Sequence, residues 1–156
     1  MSKIVIVGPA HPYRGGIAAF SERLAREFQL QGHVVILCTF TLQYPSFLFP
    51  GKTQYSTSSA PVGLKIERML NSMNPFNWVR TGMKIRNMQP DYVVFAFWLP
   101  YLAPAFGTVA RVVRSGSEKN VKMVGLLHNL VPHEKRPGDA FFARYFCDAM
   151  DSFVTM

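Results

Sequence analysis

The chain has 156 residues, 49% hydrophobic and 17% charged, with 17 Lys and Arg against 9 Asp and Glu for a net charge of +8. This is the size of one domain or one lobe of a larger protein, with apolar content for a real core and too little charge for a disordered chain. Two cysteines, Cys38 and Cys147, exclude a disulfide scaffold and form no CxxC zinc pair, so both are expected to be reduced core thiols.

The opening Met-Ser-Lys-Ile-Val-Ile-Val-Gly is no signal peptide, because its apolar run is short and ends at Gly8-Pro9 without a cleavage pattern. The protein is therefore expected in the cytoplasm. Ile4 to Val7 is a continuous apolar run, as in a strand buried on both faces. A loop from Pro9 to Gly16 follows. Ile17, Phe20, Leu24 and Phe28 then fall at helical spacing, with Glu22, Arg23, Arg26 and Glu27 mostly on the other side and Gly32 as terminator. Val34 to Cys38 is the second strand. Strand, loop, helix and strand make a βαβ unit, which dictates a parallel sheet.

Residues 41 to 62 read as a long Ser/Thr/Tyr/Pro-rich loop carrying Phe47-Leu48-Phe49, and Leu64 to Ser72 as a short helix. Asn74-Pro75 restarts a helix to about Met88, with Phe76, Val79, Met83 and Ile85 expected to face the core. Tyr92 to Ala110 carries no charge, yet Pro100, Pro104 and Gly107 break it, so strand Tyr92–Trp98, a turn and helix Leu102–Arg114 explain it better than a membrane span. Val121 to Leu127 is another strand, His128 to Gly138 a polar loop, and Asp139 is expected to cap a helix through Phe142, Tyr145, Phe146 and Met150. Ser152 to Met156 begins a further strand, and the stop there is expected to mark a lobe of something larger. The fold class is thus α/β: a Rossmann-like parallel sheet of at least five strands with helices on both faces, residues 1–156 forming a single domain.

Open parallel sheets bind ligands at the carboxyl ends of their strands. The first such loop joins His11, Tyr13 and Arg14 to Gly15-Gly16 at a helix start, where free amides favour a phosphate and glycines let it approach. The alternative is a tight turn with no ligand. The dinucleotide fingerprint GxGxxG and the GxxxxGK[ST] loop are both absent. A second loop runs from Trp98 to Tyr101, and the third reads His128-Asn129-Leu130-Val131-Pro132-His133-Glu134-Lys135-Arg136, following directly on a hydrophobic strand. His128 suits contact with a sugar hydroxyl or proton transfer, or else caps the strand structurally. No metal is expected: His128 and His133 are five apart, and Pro132 forbids an HExxH-type helix between them.

The run Gly15-Gly16, Leu24-Ala25, Phe28 and Gly32-His33-Val34-Val35-Ile36 resembles the opening of the amino-terminal domain of GT-B glycosyltransferases, especially retaining glycosyltransferase family four. The segment His128-Asn129-Leu130-Val131-Pro132-His133-Glu134 resembles the loop of bacterial members that build surface polysaccharide, and the resemblance spans the whole chain. It implies a two-domain enzyme whose amino-terminal half binds a glycan or lipid-linked acceptor. The carboxyl-terminal half, absent from this chain, would hold most of a nucleotide-sugar donor and the EX7E glutamates, a spacing that does not occur here. It further implies that Gly15, Gly16 and Arg14 meet the donor diphosphate and that His128 reaches the donor sugar. His11, Tyr13, Trp98, Asn129, His133 and Glu134 would line the cleft. Retention without metal or cofactor is implied as well.

The positive charge also calls for an anionic partner. Nucleic acid is the weakest candidate, since the basic residues are scattered and no aromatic-basic RNA-binding signature appears. A weak contact with anionic membrane through Phe47-Leu48-Phe49, at the inner face of the cell membrane, is expected. The alternative function is a non-catalytic Rossmann-like module binding a phosphorylated lipid or a membrane surface. Less favoured is an unrelated α/β enzyme whose site is the His128 loop alone.

Overall fold

The computed structural model describes residues 1–48, 53–128 and 136–156. Its elements in chain order are β1 (Lys3–Val7), α1 (Gly16–Leu30), β2 (Val34–Leu42), β3 (Lys65–Asn71), α2 (Pro75–Asn87), β4 (Tyr92–Phe97), α3 (Ala103–Ser115), β5 (Lys122–Leu127), α4 (Asp139–Cys147) and β6 (Ser152–Thr155). The strands form one sheet in the order β3-β2-β1-β4-β5-β6, every pair parallel. The α/β Rossmann-like architecture read from the sequence is present, with six strands.

Because side chains alternate across a strand, the continuous apolar runs feed two cores. Ile4, Ile6, Val35, Leu37, Val94 and Leu126 face α1, which meets them with Phe20, Leu24 and Phe28. Val5, Cys38, Val93, Phe95, Phe97 and Met123 point the other way, toward α2, α3 and α4. That second core is aromatic: Phe146 of α4 stacks on Phe97 at 4.4 Å, and Phe106 of α3 packs against Phe95 at 5.5 Å. Beside α1, the first face keeps an open apolar trough of about 410 Å3 lined by Phe20, Leu24, Phe28, Val94, Val124 and Val154.

Three expectations need correction. Leu64 to Ser72 is not a helix: residues 65–71 form edge strand β3, paired parallel with β2 from Ile36↔Lys65 to Thr39↔Arg68 and, after register shifts, at Phe40↔Leu70 and Leu42↔Asn71. Glu67, Arg68, Met69 and Leu70 are good helix formers, and pairing with a long β2 overrides that local preference. β2 itself continues to Leu42, four residues past the expected strand end and two into the expected loop. In the second correction, the cap of α4 is Gly138 at φ 91°, and Asp139 is the first helical residue, its Oδ2 accepting from Arg136 N at 2.9 Å.

The third concerns α2. Asn74 caps it as expected, its side chain accepting from Phe76 N and Asn77 N, and Ile85 is buried. Phe76, Val79 and Met83 point outward, 88%, 43% and 46% exposed. The inward face instead joins Ile85 to Asn77, Trp78, Thr81 and Gly82. Asn77 Nδ2 and Thr81 Oγ1 donate to Met69 O at 2.9 and 3.1 Å, and Trp78 Nε1 donates to Asn71 O at 2.8 Å. Gly82 lets α3 approach so closely that a Cβ there would stand 2.7 Å from Val112 Cβ. The end of β3 leaves carbonyls to be satisfied, and α2 turns its donors toward them.

Candidate active site

The strand order reverses between β1 and β4: the chain leaves β1 toward β2, and β4 toward β5. A crevice opens where such loops part, at the carboxyl edge of the sheet. The loop after β1 and His128 at the end of β5 both lie at that edge.

The first loop is fixed by backbone bonds. Gly8 follows β1 where no side chain fits, since a Cβ would lie 2.7 Å from Ala96 Cβ on β4. Ala10 N donates to Oγ1 of the buried Thr39 at 3.1 Å, and the His11–Pro12 peptide is cis. Arg14 N donates to Gln54 O at 3.0 Å and Ser56 N to Pro12 O at 2.7 Å, so residues 12–14 are laced to the segment around Tyr55. Tyr13 is buried edge-on against Phe40 at 6.1 Å, and burial pushes its phenol above the usual range.

At the start of α1, Gly15 is the cap residue with φ 125°, a conformation L side chains rarely adopt, and no side chain caps the helix. The first helical bond runs from Ala19 N to Gly15 O at 3.1 Å, leaving the N–H groups of Gly16, Ile17 and Ala18 without a partner in the helix. A Cβ on Gly15 or Gly16 would meet nothing within 4 Å, so the approach to these donors is open. Aligned peptide dipoles add a partial positive charge at this end. A cleft of about 200 Å3 lies beside it, lined by His11, Tyr13, Arg14, Gly15, Glu22 and Ser58. His11 ties its walls together: its N donates to Glu22 Oε1 at 2.7 Å, and its Nε2 lies 3.0 Å from Ser58 O.

His128 closes β5, its N donating to Phe97 O at 2.9 Å. Its ring stands edge-on to Phe20 of α1, centroids 5.2 Å apart, which packs the imidazole against the helix that carries the open amides. Nε2 is buried and has no hydrogen-bond partner among the described residues. Burial holds the imidazole below the usual histidine range, so it is neutral at pH 7. A neutral ring with a spare nitrogen can accept or donate one hydrogen bond to a ligand hydroxyl.

Trp98 sits elsewhere, on the face of the aromatic core. Its Nε1 donates to Tyr44 OH at 2.7 Å, and its ring is edge-on to Phe40 at 6.3 Å. Its polar handle is thus occupied. Asn129, His133 and Glu134 lie outside the described residues. No group of three His, Cys, Asp or Glu side chains arranged for a metal occurs among the described residues.

The sequence reading missed Arg68, Tyr44 and Tyr55. Arg68 Nε donates to Phe40 O at 3.0 Å, and its guanidinium lies 5.7 and 5.8 Å from the ring centroids of Tyr13 and Tyr55, clamping the first loop against β2 and β3. Only the strand assignment of residues 65–71 could have placed that side chain, and local propensity pointed the other way.

In doubly wound parallel sheets, ligands bind outside the carboxyl ends of the strands at the switch point, and an open helix start there suits an anion. No family model matches this sequence, nor does any curated protein. Among solved structures, the chain is similar to MurG from Acinetobacter baumannii, with 13% identity and a TM-score of 0.57 over 99% of this chain and 41% of that one. It is also similar to an alpha-glucosyltransferase solved with UDP and a 13-mer DNA containing a central A:G mismatch, with 10% identity and a TM-score of 0.53 over 99% of this chain and 37% of that one. The same enzyme type solved with UDP gives 11% identity and a TM-score of 0.52, covering 35% of its chain. At these identities the likeness is one of fold. The chain thus spans well under half the length of these structures, and it shares its fold with MurG and with an alpha-glucosyltransferase solved with UDP.

Proposed function

We propose that this chain is the acceptor-side half of a glycosyltransferase that moves a sugar from a nucleotide-sugar donor to a glycan or lipid-linked acceptor with retention. The observation that supports the reading is that Nε2 of His128, without a hydrogen-bond partner among the described residues, belongs to a ring packed on Phe20 of α1, the helix whose first amides are open. Amides at a helix start suit a diphosphate whose negative charge grows as the glycosidic bond to it breaks. The neutral His128 ring suits a hydroxyl of the donor sugar, and Arg14 adds a cation at the cleft rim. The nucleoside itself would be held by a second domain, so the two halves enclose the reacting carbon between them. No metal or cofactor enters this scheme, and the enzyme would work at the cytoplasmic side of a membrane.

The test is His128→Ala in the two-domain enzyme. Turnover with nucleotide sugar should fall by about two orders of magnitude, the range for losing one positioned transition-state contact, with little change in melting temperature. Normal turnover with a lowered melting temperature would make His128 a structural residue and remove the reading.

A further inference from the structure

The outer face of α2 has no use in the scheme above and has an unusual composition. Exposed positions recur at 76, 79, 80, 83, 84 and 87, one side of a helix. Phe76, Val79 and Met83 form an apolar row, with Met73 just before the helix also half-exposed. Arg80 and Lys84 form a basic row directly alongside. Neither cation has an ion-pair partner among the described residues. From Arg68 to Pro90 the sequence holds Arg68, Arg80, Lys84 and Arg86 and not one acid.

Core packing does not account for this row, because α2 turns Trp78, Thr81, Gly82 and Ile85 inward and leaves the row outside. A helix facing water normally carries charges of both signs. An apolar row rimmed only by cations fits one surface, the interface of an anionic bilayer, where apolar tips enter the headgroup region and cations meet phosphates. An acidic protein groove would satisfy the cations but gives no reason for a Phe exposed at 88% at the helix start. Phe47, 78% exposed in the 3-10 turn Ser46–Leu48, lies at the same carboxyl edge of the sheet as the start of α2.

We propose that α2 is a membrane-docking helix that lies with its Phe76–Val79–Met83 row in the headgroup layer of an anionic membrane, with Arg80 and Lys84 on lipid phosphates. The helix starts at the edge of the sheet that carries the crevice, so docking sets the cleft mouth beside the lipid surface. This deepens the acceptor side of the proposed function, and vesicle binding is read without turnover, so the two can fail separately.

The experiment is co-sedimentation of the chain with phosphatidylcholine vesicles, with and without about one third phosphatidylglycerol. Binding to the anionic vesicles at low salt, weakening as salt rises, is expected. Arg80→Glu/Lys84→Glu should weaken it about thirtyfold or more, from the loss of two cation–lipid contacts. Phe76→Ser should weaken it about tenfold. Both variants change exposed side chains and should keep the wild-type melting curve. If the double variant fails to fold, Phe76→Ser alone decides. Equal binding to neutral and anionic vesicles would overturn the proposal. So would α2 variants that bind like wild type while Phe47→Ser abolishes binding.

Discussion

Gly8 and Gly16 lie eight residues apart in one loop and are glycine for opposite reasons, which makes alanine at each a paired test. At Gly8 a Cβ would meet Ala96 Cβ at 2.7 Å, against roughly 3.4–4 Å for ordinary contact. Ala96 lies on β4, which is hydrogen-bonded to β1 from Ile4↔Tyr92 to Val7↔Phe95, so the ladder prevents the strands from parting. Gly8→Ala therefore overpacks a rigid site and should cost about 1–3 kcal/mol. At about 2–4 °C per kcal/mol for a domain of this size, the melting temperature should fall by roughly 2–12 °C. At Gly16 a Cβ meets nothing within 4 Å and the backbone is already helical, so Gly16→Ala should hold or raise stability by up to about 1 kcal/mol. The methyl group would stand where an anion approaches the α1 amides. Weakening one charge-assisted hydrogen bond by about 1.5–3 kcal/mol should raise the Kd for inorganic pyrophosphate roughly tenfold or more, read by NMR titration of the Gly16–Ala18 amides. Gly16→Ala losing as much stability as Gly8→Ala would refute the open helix start. Unchanged pyrophosphate binding by a stable Gly16→Ala protein would refute the anion site.

Two further outcomes follow from titratable groups. Burial lowers the pKa of His128 in the folded state, so below the unfolded value near 6.5 the unfolded chain binds more protons there. This group's contribution to stability is therefore flat above about pH 6.5 and is lost as pH falls from there through the folded pKa. Melting curves between about pH 5 and 7.5 should show a fall in wild type that is shallower in His128→Gln, and parallel curves would refute the assignment. Cys38 is fully buried and its thiol is pushed up to about 12 by burial, so native protein treated with iodoacetamide should stay unmodified at Cys38 and react there only after denaturation. Peptide mapping that finds native Cys38 alkylated would contradict that packing.

The sequence by itself determined the sheet and its parallel sense. The runs Ile4–Val7 and Val93–Phe97 are apolar without alternation, which only a strand covered on both faces can use, and the spacing of Phe20, Leu24 and Phe28 fixed the covering helix. It also located both parts of the candidate site, because a glycine pair at a helix start and a histidine at a strand end are local signals. Tertiary structure decided what local preference could not. Residues 65–71 became a strand because β2 extends to Leu42 and offers an open edge, a fact held in residues far away in sequence. Arg68 joined the site on that strand, and its reach to Phe40 O depended on the same pairing. The row Phe76–Val79–Met83 has the periodicity of a core face, yet the carbonyls at the end of β3 claimed Asn77, Trp78 and Thr81, and a helix has only one inward side. Periodicity specifies that a helix has two faces, and hydrogen-bond demand from its neighbours decides which one turns inward.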